Sequence, residues 1–487
     1  MTLFRPAFLK VTVSALALAT AGCISTPPPA GLKPADVPGQ FEMKAPANAQ
    51  VWPSTTWWTN FGSDELTQME QTAQTENLDI VAAAARVLQA QGQYGISRSA
   101  LFPQISGGLS ATKSHTPGLG TSDSFGISAD ASYQLDLFGQ IHAGMRAANE
   151  NVRASRYAQQ TVALTTASAV ANTYLQVLAL RERLDIAHRN IDAAERILAI
   201  TQAKVTNGVS SNLDLAQQKA QLEGQQATVP VLEQQEREAR YALAVLLGRV
   251  PEGFNVTAQN LNGIAPPVVA PGLPSELLRR RPDVAATEAA LYAAHANVDA
   301  ARAAFFPSVG LTAQGGLASG AIGSLFSGNP AWSIGASLLQ TIFDGGAKAS
   351  QSDLAKAQQT ELVANYRQAA LNAFTDVESS LGETSSLAEQ ERLKTAQVAD
   401  AQEAFRIAEL QYREGVADLL LVLQTQQTLF SAQDQLVQIK LARLSAVIGL
   451  YQSLGGGWIE TADGTTATAP VGPIQTNANP EKPAGQN

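Results

Sequence analysis

The chain has 487 residues, 45% hydrophobic and 15% charged, with a net charge of −9 at pH 7. So low a charged fraction excludes a long disordered polyelectrolyte, and the acidic balance leaves no polybasic footprint for nucleic acid. One Cys and four His exclude a disulfide framework and leave little for a His/Cys metal site, so neither metal nor cofactor is expected.

Arg5 and Lys10 precede an apolar or small run from Val11 to Gly22, and Cys23 follows Thr20-Ala21-Gly22. This is the pattern of a signal peptide, residues 1–22, ending at a lipoprotein cleavage site, with Cys23 as the lipidated first residue of the mature chain. Ile24 follows, so no Asp marks the chain for inner-membrane retention. Pro27, Pro28, Pro29, Pro34 and Pro38 make residues 23–56 an expected lipidated, extended tether. Beyond it no run reaches about 18 consecutive apolar residues, so no transmembrane helix is expected.

Residues 57–248 and 284–458 read as two copies of one unit. Gly208-Val209, Leu213, Gln217, Leu222, Gln226 and Leu247-Gly248 recur 207 residues later as Gly415-Val416, Leu420, Gln424, Leu429, Gln433 and Leu454-Gly455. Upstream the offset shrinks slightly: Phe102-Pro103 matches Phe306-Pro307, and Leu137-Phe138 matches Ile342-Phe343. A period this long is a duplication of half-molecules, not a short-repeat solenoid.

Each copy reads as helix, two strands, long helix, turn, helix. From Phe125 to Leu137 the chain alternates strictly, with Phe125, Ile127, Ala129, Ala131, Tyr133, Leu135 and Leu137 set against Gly126, Ser128, Asp130, Ser132, Gln134 and Asp136. Ile105 to Lys113, Val309 to Ala313 and Trp332 to Ile342 alternate in the same way. These four strands, about residues 105–137 and 308–343, are long enough to cross a bilayer at a tilt. Soluble sandwich strands alternate too, but here the second face is Ser, Thr, Gln and Asp instead of mixed charge. Four strands also cannot close a membrane barrel, so their edges must be shared between subunits.

Gly139 to Lys204 holds no Pro and repeats apolar residues every seven: Val170, Val177, Leu184, Ile191, Leu198 and Val205, with Leu180, Ala187 and Ala194 three residues on. That heptad seam predicts one helix of about 65 residues, on the order of 100 Å. Gly345 to Glu414 is its equivalent, with Val377, Val398 and Phe405 in a seam that Thr384 and Glu391 weaken. Gly208 and Gly415 end the two helices as left-handed caps. Asn212 to Gly248 returns as a second helix that Pro230 should kink; its counterpart is Val437. Residues 249–283 read as an inter-repeat linker and 459–487 as a disordered tail.

No catalytic constellation stands out. Gly345-Gly346-Ala347-Lys348-Ala349-Ser350 has the composition of a phosphate loop without its spacing, and His115, His142, His188 and His295 fall on different elements.

Several runs carry a resemblance: Trp57-Trp58 with Phe61 and Leu66, Asn77-Leu78-Asp79, Ala85-Arg86-Val87, Tyr133-Gln134-Leu135-Asp136-Leu137-Phe138-Gly139, Leu273-Pro274-Ser275-Glu276-Leu277-Leu278, Arg281-Pro282-Asp283 and Tyr412-Arg413 before Gly415-Val416. Together, from Trp57 to Trp458, the chain resembles an outer membrane factor of the TolC/OprM type, in the NodT-type lipoprotein branch that serves resistance-nodulation-division (RND) efflux. The resemblance implies a mainly α fold with a membrane β part. It implies a homotrimer with four strands per chain closing a 12-stranded β-barrel, continued by a long periplasmic α-helical barrel.

It implies an outer membrane location, a periplasmic adaptor (membrane fusion protein) and an inner-membrane RND pump as partners, and a periplasmic gate at the helix turns. There Tyr412 and Arg413 would hold the closed state, with Asp214 and Asp418 as acidic candidates for Arg413 and Leu420 as an alternative apolar constriction. Gly208, Val209, Ser210, Gly415 and Val416 would form the adaptor-docking tips. Gln424 stands where many relatives carry an acidic residue, which removes that carboxylate ring. The expected function is a passive exit duct for small molecules. The alternatives are the duct of a type I protein secretion system or a periplasmic coiled-coil scaffold. Alternating strands and the lack of a lipoyl-like domain disfavour the scaffold.

Overall fold

A computed structural model describes residues 37–42, 50–118, 120–327 and 330–459. Cys23, the signal peptide and the residues from 460 onward lie outside it. The chain divides into two compact units: residues 86–156 with 285–369, and residues 34–85 with 157–284 and 370–487.

The elements follow the duplication closely. Strand β1 (Gln50–Val51) and a 3-10 turn (Trp57–Phe61) precede α1 (Asp64–Glu76) and α2 (Leu78–Ser99). Then come β2 (Gln104–Thr116), β3 (Gly120–Leu135), α3 (Gln140–Thr206) and α4 (Asn212–Leu246). After β4 (Val269–Ala270) and the short α5 (Pro274–Leu277), the second copy supplies α6 (Pro282–Ala303), β5 (Ser308–Ser319), β6 (Ala331–Leu339), α7 (Ala347–Arg413) and α8 (Leu419–Ser453). Both ends of α7 and α8 lie 207 residues after those of α3 and α4, whereas α6 starts and ends 204 residues after α2. The three extra residues fall in the strand-to-helix junction, four residues long before α3 (136–139) and seven before α7 (340–346). There Asp136 caps α3 by accepting from the Ile141 and His142 amides, and Asp344 caps α7 through the Gly346 and Lys348 amides. Strand β6 stops at Leu339, so Thr341 and Ile342, expected in the strand, belong to this junction.

In the first unit, β2, β3, β5 and β6 form one antiparallel sheet in that order. Phe138 stacks on Phe306 at 4.7 Å, joining the two Phe-containing corners of the repeat.

In the second unit the core gathers around the opening aromatic motif. Trp57 is buried, stacks on Tyr451 at 5.2 Å and meets Trp58 and Phe61 edge-on. Asn77 accepts from the Asp79 and Ile80 amides to cap α2, and its side-chain amide donates to the Leu246 carbonyl, an orphan acceptor at the end of α4. Gly248 adopts φ 67°, and a Cβ there would lie 2.4 Å from the Glu76 carbonyl oxygen. The recurring Leu-Gly pair is therefore required by close approach as well as by backbone sign.

Three expectations change. The last residues of the supposed tether are docked: β1 pairs in parallel with β4, and buried Trp52 donates its indole N–H to Glu276 at 3.0 Å. The inter-repeat segment is likewise bound in place. Arg181 donates to the Val256 and Ala258 carbonyls, and Glu65 accepts from the Thr257 and Ala258 amides. The α3 seam holds in part: Val170, Val177, Leu180, Ala187 and Ala194 are buried as expected, but Leu184, Ile191 and Leu198 are half-buried, and Asn190, Ile197 and Thr201 are buried beside Ala187 and Ala194. Asn190 and Thr201 are polar, so a search for apolar residues passes over them. Helix α4 runs uninterrupted through Pro230, which costs it the amide that would serve the Gln226 carbonyl.

Candidate functional site

Register determines the two faces of the sheet. Opposed residues share a face, so Ile105, Ala131, Ala313 and Ile334 form one row, and Leu109, Ile127 and Leu317 another. On the opposite face, Ser106 meets Asp130, which meets Gln314, which meets Ser333. The apolar face is exposed within the chain: Ile105, Leu109, Trp332 and Ile334 all exceed 75% exposure. Such a surface needs an apolar medium, and the opposite face needs water. Strands β2 and β6 each leave an unpaired edge, which the hydrocarbon core does not tolerate unless another chain completes it.

The helix turns form a second site, in the other unit. Gly208 and Gly415 sit at φ 74° and 76°. The Val209 amide donates to the Lys204 carbonyl and the Gly208 amide to the Val205 carbonyl, the two bonds of a Schellman cap. The Val416 and Gly415 amides repeat this with the Gln411 and Tyr412 carbonyls. Val209 and Val416 are over 70% exposed, and Leu213 and Leu420 are also exposed. Gln424 is exposed as well.

Tyr412 is buried between the copies. Its hydroxyl lies 2.9 Å from the Thr201 hydroxyl, and its carbonyl accepts from the Lys204 ammonium. The same ammonium stands 4.5 Å from the centre of the Tyr412 ring. A lysine in the last turn of α3 thus serves a carbonyl at the end of α7, where the helix dipole favours a cation. Below lies an apolar cluster of Ile197, Phe405, Leu419, Val422, Leu429 and Phe430.

The expected acidic partners of Arg413 are engaged elsewhere within the chain. Asp214 forms a capping box with Ser211 and accepts from the Ser210 hydroxyl. The bonds from Ser210 and Ser211 hold its carboxyl below the usual range. Asp418 caps α8 through the Leu421 amide. Arg413 instead pairs with Glu414 at 3.2 Å, both exposed. Thr201 and Lys204 were missed because their role depends on helix pairing. The one signal was a hydroxyl and a cation one turn apart at the end of the predicted seam.

A two-faced sheet with open edges, joined to long paired helices, defines a class: an outer membrane channel whose barrel is completed by three chains. The outer membrane efflux protein family profile matches residues 70–249 and 273–456, and the chain belongs to that family. It is 40% identical over 452 residues to the pyoverdine export outer membrane protein OpmQ of Pseudomonas aeruginosa, covering 90% of this chain and 94% of that one. It is 30% identical over 459 residues to the cation efflux system protein CusC of Escherichia coli, covering 92% and 99%. Among solved structures it matches the open state of the MtrE outer membrane channel of Neisseria gonorrhoeae with a TM-score of 0.81 and 29% identity, covering 89% of this chain and 98% of that one. The protein is an outer membrane duct of an efflux pump.

Proposed function

We propose that this duct exports small molecules, receiving them from an inner-membrane RND pump through a periplasmic adaptor that docks on the turns at Gly208 and Gly415. One observation carries the docking reading: the same exposed apolar pair, Val209 with Leu213 and Val416 with Leu420, is presented on two turns closed by the same glycine-centred pair of backbone bonds. Exposed valines at defined turns give a partner hairpin apolar contact at little ordering cost. The duct is passive, so an adaptor opens it by binding the open state better than the closed one. Greater identity to a pyoverdine exporter than to a cation efflux protein favours a small organic chelator as cargo over a bare metal ion. Lipid on Cys23 would add a membrane anchor to the barrel.

The test is Val209→Asp with Val416→Asp. Export and adaptor crosslinking should fall by at least tenfold, with trimer yield on native gels unchanged. Normal export by that variant would refute docking at the turns. The cargo reading is tested separately, by siderophore secretion and metal tolerance in a deletion strain.

A further inference from the structure

Of all the residues that the strand register places on the polar face of the sheet, one is ionised. Along β2 that face carries Gln104, Ser106, Gly108, Ser110, Thr112, Ser114 and Thr116, and β5 and β6 contribute Ser, Thr, Gln, Gly, Ala and one Leu. The exception is Asp130, five residues before the end of β3 at Leu135. The remaining strand charges, Lys113 and Asp123, sit on the other face near the β2–β3 turn and pair with each other at 3.5 Å. Asp130 accepts from the Ser128 hydroxyl at 3.0 Å, and no cation is paired with it among the described residues.

From this we infer that Asp130 sets a cation preference in the barrel lumen. The inference rests on the reading that the polar face lines the channel. Twelve strands about 4.8 Å apart and tilted about 40° close a ring roughly 75 Å around, with a backbone radius near 12 Å. Three copies of Asp130 then stand in one ring, and a solute following the wall passes within about 6 Å of one of them. In a water-filled lumen one unit charge at that distance raises the local concentration of a monovalent cation about threefold and lowers that of an anion equally. Salt reduces this: the cation-to-anion ratio should change about sevenfold at 0.01 M and three- to fourfold at 0.1 M. The Ser, Thr and Gln groups around Asp130 solvate either sign, so the carboxylate alone decides the bias. A cationic solute, or one presenting an ammonium, is therefore favoured at this level over a polyanion.

The experiment uses the full-length trimer with Ser106→Cys, which lies directly opposite Asp130. Labelling is read above the parent channel, whose one cysteine is Cys23. Rates are measured with a cationic and an anionic methanethiosulfonate reagent of similar size. The cationic reagent should react faster, and Asp130→Asn should reduce the rate ratio by the factors above, more at low salt. Asp130→Glu should keep the ratio, and Asp123→Asn should leave it untouched. In planar bilayers under a KCl gradient, Asp130→Asn should move the reversal potential toward zero. An unchanged rate ratio in Asp130→Asn overturns the inference while leaving the channel reading intact. If Ser106→Cys reacts only with membrane-permeant reagents, the polar face does not line water, and both readings fall.

Discussion

Replacing Tyr412 by Phe isolates one bond at the helix turns. The ring would stay in the cluster with Phe405 and Phe430, and the Lys204 ammonium would keep both its carbonyl acceptor and its ring contact. Thr201 would not be orphaned, because its hydroxyl also donates to the Ile197 carbonyl at 2.9 Å. What is lost is one neutral hydrogen bond, about 0.5–1.5 kcal/mol net. If that bond holds the closed state and breaks on opening, threefold symmetry multiplies it to about 1.5–4.5 kcal/mol. The closed-to-open ratio then changes by roughly ten- to two-thousandfold. Adding Lys204→Met removes a charge-assisted bond and should open the channel further. Open probability in planar bilayers is the assay, with trimer yield as the folding control. Arg413→Ser is the comparison: its partner Glu414 is equally exposed, and such pairs contribute about 0–1 kcal/mol. It should leave conductance unchanged. Intact Tyr412→Phe, Lys204→Met trimers that conduct like the parent would refute the latch and leave Leu420 as the better constriction.

Glu70 is fully buried with no partner for either carboxylate oxygen, and burial pushes its carboxyl well above the usual range. A raised carboxyl destabilises the fold above the ordinary glutamate range, so Glu70→Gln should stabilise the protein at pH 7 by about 1–3 kcal/mol, a gain that vanishes toward pH 4 in thermal melts. Asp283 behaves oppositely: burial acts to raise its carboxyl, but the bidentate Arg281 outweighs it and holds it low. Its stabilisation is complete above the ordinary aspartate range and is lost as pH falls below that range through the lowered value of the folded state, so Asp283→Asn should cost stability at neutral pH and progressively less as the melts are taken to acid. Ile127→Arg should cost about 2–4 kcal/mol per chain near the bilayer midplane and lower trimer yield, while Ser128→Arg on the polar face should insert normally; equal tolerance of both contradicts the facing. Radiolabelled palmitate should enter the parent and not Cys23→Ala, and label retained in the variant would remove Cys23 as the lipid site.

Strand alternation and seven-residue periodicity made the sheet faces and long helices legible, because both follow from which side chains need water. The extent of the helices was legible too, since Gly208 and Gly415 carry the left-handed caps themselves. The inter-repeat segment was not. Its composition is that of a linker, yet it is held by Arg181, Glu65 and Glu182, which lie far from it in sequence. Arg281-Pro282-Asp283 marked the resemblance without revealing its physics: a guanidinium bound to Asp283 that also reaches Asp376 on α7. The contact at the turns was half legible: the motif supplies both Tyr412 and Arg413, but only Tyr412 is buried against α3, and the charge of Arg413 near a helix end says little about what its side chain touches.

The duplication explains why the Tyr412 contact sits where it does. Equal helix lengths in the two copies bring two similar turns to one unit, but their chemistry differs. The first turn is closed on itself by the Ser211–Asp214 capping box and by Ser210. The second has the single Asp418 cap, and the residues that follow it, Leu419, Val422, Leu429 and Phe430, are buried against α3 and α7 in the shared cluster. Each turn is therefore rigid by itself, and its capping bonds are local enough to survive a displacement of one hairpin past the other. The contacts such a displacement would break are those between copies, among them Tyr412 with Thr201, Lys204 with the Tyr412 carbonyl, Arg183 with Asp434 at 2.6 Å and Lys440 with Glu182 at 3.5 Å. Because Thr201 and Tyr412 lie 211 residues apart in the chain, off the 207-residue register, the bond joins non-equivalent positions of the two copies, and the equivalent residues cannot form a second bond of the same kind: Ala408 stands where Thr201 would recur and Val205 where Tyr412 would.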